Sequence, residues 1–144
     1  MLDDIAFYAA NAIAIAGWLS LIALPDLRLT TWLAQTRALS LLIVGVYLAT
    51  FIASFVDGPS KGDFFSLDGV ADLLSDRIVA LVVWVHILAF DLFVGSHIFL
   101  DARRRGLSRF IVVPCLVATL LVGPLGLLAY RIAARARPAT SVVR

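Results

Sequence analysis

The chain has 144 residues, of which 62% are hydrophobic, and its formal net charge at pH 7 is +2. Soluble domains are usually about 45–50% apolar, so the composition indicates that a lipid bilayer surrounds most of this chain. The positive charge comes from eleven Arg and one Lys, and no segment is long enough to fold into a basic face for nucleic acid.

Four uncharged or nearly uncharged runs are long enough to cross a membrane. About 20 apolar residues are needed to span about 30 Å of hydrocarbon, and none of the runs alternates as a barrel strand would. The runs are Ile5–Leu24, Ala38–Val56, Ile78–Leu100 and Phe110–Tyr130. They predict an all-α protein: a four-helix transmembrane bundle forming one multi-pass domain over 1–137, with a disordered tail over 138–144.

The first run is interpreted as a mature span because Asp3 and Asp4 precede it, whereas a signal peptide begins with basic residues. After it, the stretch Pro25–Arg37 is predicted to be a short loop in which Trp32 anchors the membrane interface. Between the second and third spans, aspartates alternate with apolar residues. This pattern favours a short amphipathic surface helix over Leu67–Ser75.

The densest positive cluster is Arg103-Arg104-Arg105, directly after the third span. The positive-inside rule places this loop in the cytoplasm, together with Pro25–Arg37. The rule does not account for Arg131, Arg135 and Arg137, because a fourth crossing would place them on the opposite side of the membrane. The Arg-rich, Lys-poor composition favours a bacterial inner membrane.

The fourth run contains Pro114 and Gly123-Pro124, so we expect two kinks in that helix. Its single cysteine, Cys115, is interpreted as a packing residue, since one cysteine forms neither a disulfide framework nor a metal-binding pair.

Ionisable residues in the third span are the main functional signal. A charged side chain at mid-membrane costs about 2.5–3.5 kcal/mol on insertion scales. Asp91 lies near the middle of the span, and His86 lies one and a half turns before it, about 140° away around the helix. His97 is about 16 Å from His86 along the axis, too far to share one metal ion. We therefore expect no metal site and no cofactor, and a bis-His haem would require a dimer.

Two interpretations of these residues stay open. A carboxyl group sheltered from water can keep its proton near neutral pH, so Asp91 is a candidate general acid and His86 its candidate base. Alternatively, these groups and Asn11 hold the helices together by hydrogen bonds. A small transporter or proton-conducting protein built around Asp91 is a further alternative.

The string from Trp84 to Gly95, Trp-Val-His-Ile-Leu-Ala-Phe-Asp-Leu-Phe-Val-Gly, is followed by Asp101 and an Arg-rich turn. This segment resembles the abscisic-acid-deficient-four-like family of membrane proteins. Further resemblance lies in the spacing of Asn11 and Trp18 ahead of Pro25, in Pro114, and in the stretch from Gly123 to Tyr130. The chain departs from the family at Ser96 and His97, where Arg and an aromatic residue are more usual.

Plant members of that family are implicated in forming neoxanthin from violaxanthin, which is an isomerisation. The resemblance implies a cofactor-independent intramembrane isomerase acting on a carotenoid or a retinoid-like polyene, in contact with the lipid bilayer. The alternative is a non-catalytic polyene-binding or pathway-scaffolding protein, and a homo-oligomer stays open. From the chemistry we expect Asp91 as acid, His86 as base and Asn11 as hydrogen-bond donor to the substrate. The remaining predicted substrate-binding residues are Trp18, Tyr47, Trp84, Phe90 and Tyr130.

Overall fold

The computed structural model describes residues 2–57 and 61–136, except for the side chains of residues 56 and 57. Arg137 and the predicted tail lie outside these ranges. All regular structure within them is helical, which confirms the all-α prediction. The seven helices are α1 (Leu2–Ala23), α2 (Arg28–Thr36), α3 (Ala38–Asp57), α4 (Leu67–Ser75), α5 (Arg77–Arg104), α6 (Arg109–Val122) and α7 (Pro124–Ala136).

Three of these helices are long and apolar enough to cross a membrane: α1, the stretch Ala38–Phe55 of α3, and α5. They correspond to the first three predicted spans. Their ends follow from local chemistry. Helix α1 ends before Pro25, and the Asp76 carboxylate accepts hydrogen bonds from the backbone N–H groups of Ile78 and Val79 at the start of α5.

Helix α2 corrects the prediction of a loop over Pro25–Arg37. One face of this short helix is buried at Thr30 and Ala34, four residues apart. The Thr30 hydroxyl donates to the Leu24 carbonyl at 2.7 Å and so satisfies the end of α1. The amphipathic helix α4, in contrast, has the bounds that were predicted. It begins where the Ser66 hydroxyl accepts a hydrogen bond from the Gly69 N–H at 2.9 Å.

Helix α5 is the centre of the molecule and contacts every other helix. It packs tightly on α1, where a glycine on each helix contacts a large side chain from the other. A Cβ added at Gly17 would lie 2.6 Å from the Leu92 side chain, and one added at Gly95 would lie 2.6 Å from the Trp18 ring. These glycines therefore let the two helices approach closely.

The predicted fourth span, Phe110–Tyr130, is not a single helix, and this prediction is corrected. The chain continues helically through Pro114 but breaks at Gly123, whose φ is +43°. Its N–H still bonds to the Thr119 carbonyl at 2.8 Å, which closes α6. Pro124 then begins α7, a position that suits proline because no hydrogen bond is required of its nitrogen.

Helices α6 and α7 form a hairpin. Gly123 lies beside Asp91, halfway along α5, and a Cβ added there would be 2.8 Å from the Asp91 Oδ1. Seven residues later, the Tyr130 hydroxyl donates to Asp101 at 2.6 Å. Because Asp101 is about 15 Å beyond Asp91 towards the end of α5, α7 runs back in the direction from which α6 came.

The hairpin brings the C-terminal end of α7 to the same end of the bundle as Arg103, Arg104 and Arg105. Arg109 at the start of α6 pairs with Asp26 there, and Arg103 donates to the Pro25 carbonyl at 2.6 Å. Among the described residues, every arginine except Arg77 is therefore at this end. Arg131 and Arg135 therefore lie at the same end of the bundle as the other arginines, whereas one straight helix over the fourth run would place them at the opposite end.

Candidate functional site

An apolar groove of about 400 Å³ runs between α3, α4 and the first half of α5. Aromatic and branched aliphatic side chains form nearly all of its surface, which suits an apolar ligand. Its lining consists of Tyr47, Phe51, Ser54, Phe55, Phe64, Leu73, Val79, Val82, Val83 and His86.

The wall from α3 is an aromatic stripe. Tyr47, Phe51 and Phe55 are four residues apart, so their side chains lie on one face of the helix over about 12 Å. The rings of Tyr47 and Phe51 stack with centroids 5.5 Å apart, and Phe51 meets Phe55 edge to face at 4.9 Å. Such contacts hold the rings in fixed orientations.

His86 belongs to this groove and faces the stripe. Its imidazole lies 5.6 Å from the Tyr47 ring and 4.6 Å from the Phe90 ring, measured between centroids. Phe90 is one turn further along α5 and extends the aromatic surface beyond the groove lining. Of the residues that line the groove, His86 is the one with a basic side chain. It can accept or donate a proton at a bound ligand.

Asp91 faces a different part of the molecule. Its half-buried carboxyl group points to the break between α6 and α7 at Gly123. It makes no hydrogen bond or ion pair with any residue that the structure describes. The first turn of α7 begins next to it, and the positive end of that helix dipole is a favourable neighbour for a carboxylate.

The structure therefore does not bring His86 and Asp91 into one cleft. They lie on faces of α5 about 140° apart, His86 towards α3 and Asp91 towards the hairpin. The groove is bordered by His86, whereas Asp91 lies on the other side of α5.

Asn11 and Trp84 lie together on a third face, between α1 and α5. The Asn11 amide donates to the Phe7 carbonyl at 2.7 Å and accepts from the Trp84 indole N–H at 3.4 Å. Trp84 also stacks on Phe7, with ring centroids 6.4 Å apart. Both polar ends of Asn11 are thus engaged within the protein, and the pair connects two helices.

The other predicted wall residues, Trp18 and Tyr130, are buried in the core. Trp18 fills the space above Gly95, and Tyr130 has no exposed surface. Tyr130 and Arg105 both donate to Asp101, with the Arg105 Nε at 2.7 Å. Asp101 therefore links α5 to α7. The sequence alone does not predict this link, because it depends on the direction of α7.

Within the described residues, no three His, Cys, Asp or Glu side chains are grouped to hold a metal ion. Cys115 is buried in α6, and Thr119 donates to its carbonyl at 2.8 Å.

Comparison with known proteins gives one match. The family model described as ABA DEFICIENT 4-like matches residues 5–130, which include nearly all of the three long apolar helices, the aromatic groove and the break at Gly123. No curated protein and no solved structure matches the chain. With most of its length covered by that model, the chain belongs to the ABA DEFICIENT 4-like family.

Proposed function

We propose that the aromatic groove binds the conjugated chain of a carotenoid-like or retinoid-like polyene within the membrane. The observation that carries this proposal is the stripe of Tyr47, Phe51 and Phe55 facing the imidazole of His86. Flat conjugated ligands stack on aromatic rings, whereas saturated acyl chains gain no such contact. The family relates to carotenoid biosynthesis, which agrees with this ligand class.

Replacement of Phe51 by Leu is expected to weaken polyene binding by about threefold to tenfold, because one aromatic contact contributes about 0.5–1.5 kcal/mol. The measurement is titration of detergent-solubilised protein with a retinoid or carotenoid, followed by the induced shift of the polyene absorption band. Phe110→Leu is the matched control, since Phe110 is a highly exposed phenylalanine of α6 outside the groove. Equal affinities for the two variants would contradict the proposed binding site.

Isomerisation of the bound polyene is the second candidate function, and the position of His86 favours it. An isomerisation by acid–base chemistry adds one proton and removes another, and it needs no redox cofactor. In the groove, the imidazole of His86 can donate the proton that is added and then accept the proton that is removed, so that it returns to its starting state. The original pairing of His86 with Asp91 on one substrate is set aside, because the two side chains face different neighbours.

His86→Gln is expected to slow stereoisomer conversion by about 100-fold or more, the usual contribution of a general acid–base group. Binding of the polyene should change little, because glutamine keeps most of the contact with Tyr47. Membranes containing each variant are incubated with carotenoid and retinoid stereoisomers, which are then separated by chromatography. His97→Gln is the control on the same helix.

Normal conversion by His86→Gln would contradict the catalytic assignment and leave a binding protein. If Asp91→Asn alone abolished conversion, the proton donor would be the carboxyl group at the helix break.

We further propose a bacterial inner membrane in which the arginine-rich end faces the cytoplasm. The positive-inside rule supports this orientation, since Arg28, Arg37, Arg103, Arg104 and Arg105 share that end with α7.

A further inference from the structure

A second groove, of about 430 Å³, lies at the arginine-rich end of the bundle, distant from the aromatic groove. It is formed by α2, the turn between α2 and α3, and the last turns of α5. Three of its side chains are cationic and none is acidic. The lining is Thr31, Gln35, Arg37, Leu100, Arg103 and Arg104.

Two of the guanidinium groups are held in place by the protein. Arg37 stands at the turn between α2 and α3, with its guanidinium 4.8 Å from the centre of the Phe93 ring and one N–H bonded to the Ala34 carbonyl at 3.1 Å. Arg103 lies over Phe99 at 5.6 Å and donates to the Pro25 carbonyl. Each guanidinium has five N–H donors, so most of them are left for a ligand.

The charge in this groove is only partly neutralised by the protein. Asp101 is 3.7 Å from Arg104, but it also accepts from Arg105 and Tyr130. Asp26 lies near Arg103, but its ion pair is with Arg109. Burial and the charge of Arg104 lower the pKa of Arg37, as expected for cations gathered in one place. The Thr31 hydroxyl and the Gln35 amide have no hydrogen-bond partner among the described residues and can add neutral donors.

We propose that this groove binds the phosphate group of an anionic amphiphile. Guanidinium groups match phosphate oxygens with paired, charge-assisted hydrogen bonds. Leu100 continues the groove onto the apolar surface of α5, where a hydrocarbon chain can lie. A phospholipid headgroup and an isoprenoid diphosphate both present this combination of phosphate and chain.

The test uses the full-length protein in a neutral detergent. Native mass spectrometry measures binding of phosphatidylglycerol against phosphatidylcholine, and of farnesyl diphosphate against farnesol and inorganic pyrophosphate. We expect Arg37→Gln to weaken binding of the phosphate-bearing amphiphile by about tenfold or more, the effect of losing a hydrogen bond to a charged group. Arg131→Gln removes one positive charge at the same end outside the groove and should change binding by less than about twofold.

Arg104→Gln provides a second variant, because the Arg104 side chain is 71% exposed and its loss leaves the core unchanged.

Preference for phosphatidylglycerol identifies a phospholipid site, and preference for farnesyl diphosphate identifies an isoprenoid site. Tight binding of pyrophosphate alone would identify the phosphate as the whole ligand and overturn the amphiphile proposal. Equal weakening by Arg37→Gln and Arg131→Gln would also overturn the proposal, since it would indicate only a general electrostatic attraction of anions to this end of the protein. Polyene binding in the aromatic groove should be unaffected, which separates this test from the previous ones.

Discussion

Gly126→Ala is expected to prevent the protein from reaching its folded state. A Cβ at this position would overlap the backbone nitrogen and Cα of Thr119, a residue with no exposed surface. Overpacking against a movable side chain typically costs about 1–3 kcal/mol, because the side chain can shift. Here the obstacle is the backbone of α6, so the first turn of α7 has to separate from it, and we expect a loss of more than about 4 kcal/mol.

Gly45→Ala is the matched control. Gly45 is in α3, and a Cβ added there meets no atom within 4 Å. Alanine inside a helix is favoured over glycine by about 0.5–1 kcal/mol, so this variant should be as stable as the parent or slightly more so. Size-exclusion profiles and thermal unfolding in detergent measure both variants. Similar melting temperatures for the two would contradict the close contact between α6 and α7.

Single cysteines are expected to show that the C-terminal end of α7 returns to the side of the membrane from which α6 began. The parent for this test is Cys115→Ser, since Cys115 is the one cysteine of the chain. Ser108→Cys reports the loop before α6, Arg135→Cys the end of α7, and Ser75→Cys the end of α4. A membrane-impermeant maleimide is added to sealed vesicles of known orientation.

We expect Ser108→Cys and Arg135→Cys to be labelled from the same side, and Ser75→Cys from the opposite side. The physical reason is length: the 14 residues of α6 extend about 21 Å, short of the roughly 30 Å of hydrocarbon. Labelling of Arg135→Cys together with Ser75→Cys would mean that α6 and α7 cross the membrane as one unit, and the hairpin would then be wrong.

Hydropathy predicted most of the fold because lipid imposes a simple requirement on the chain. The first three spans and the helix Leu67–Ser75 follow from apolar length and from alternation of acidic with apolar residues. The fourth run shows the limit of this reasoning. One straight helix and two antiparallel half-helices both satisfy their backbone hydrogen bonds, so their sequences can be equally apolar. The signal for the break was Gly123-Pro124, which we interpreted as a kink.

The candidate site was harder to predict than the fold. Helical geometry alone predicts that His86 and Asp91 lie about 140° apart. It does not predict which helix packs against each of them. That information comes from packing: α3 provides Tyr47 beside His86, and the hairpin provides Gly123 beside Asp91. Trp18 was expected at the substrate for its aromatic ring, yet it fills the gap above Gly95. The arginine groove was missed because it depends on α2 being a helix.

The central position of α5 has a consequence for biosynthesis. Helices α1 to α4 leave the ribosome before α5, so the contacts of Gly17 with Leu92 and of Trp18 with Gly95 cannot form until residues 92 to 95 have been synthesised. The early helices can contact one another before then, but the packing between α1 and α5 forms only after α5 has been made, and α6 and α7 also pack on α5. A nascent chain stopped before residue 77 should accordingly be a substrate for membrane quality-control proteases, while one extended past Ala136 should escape them.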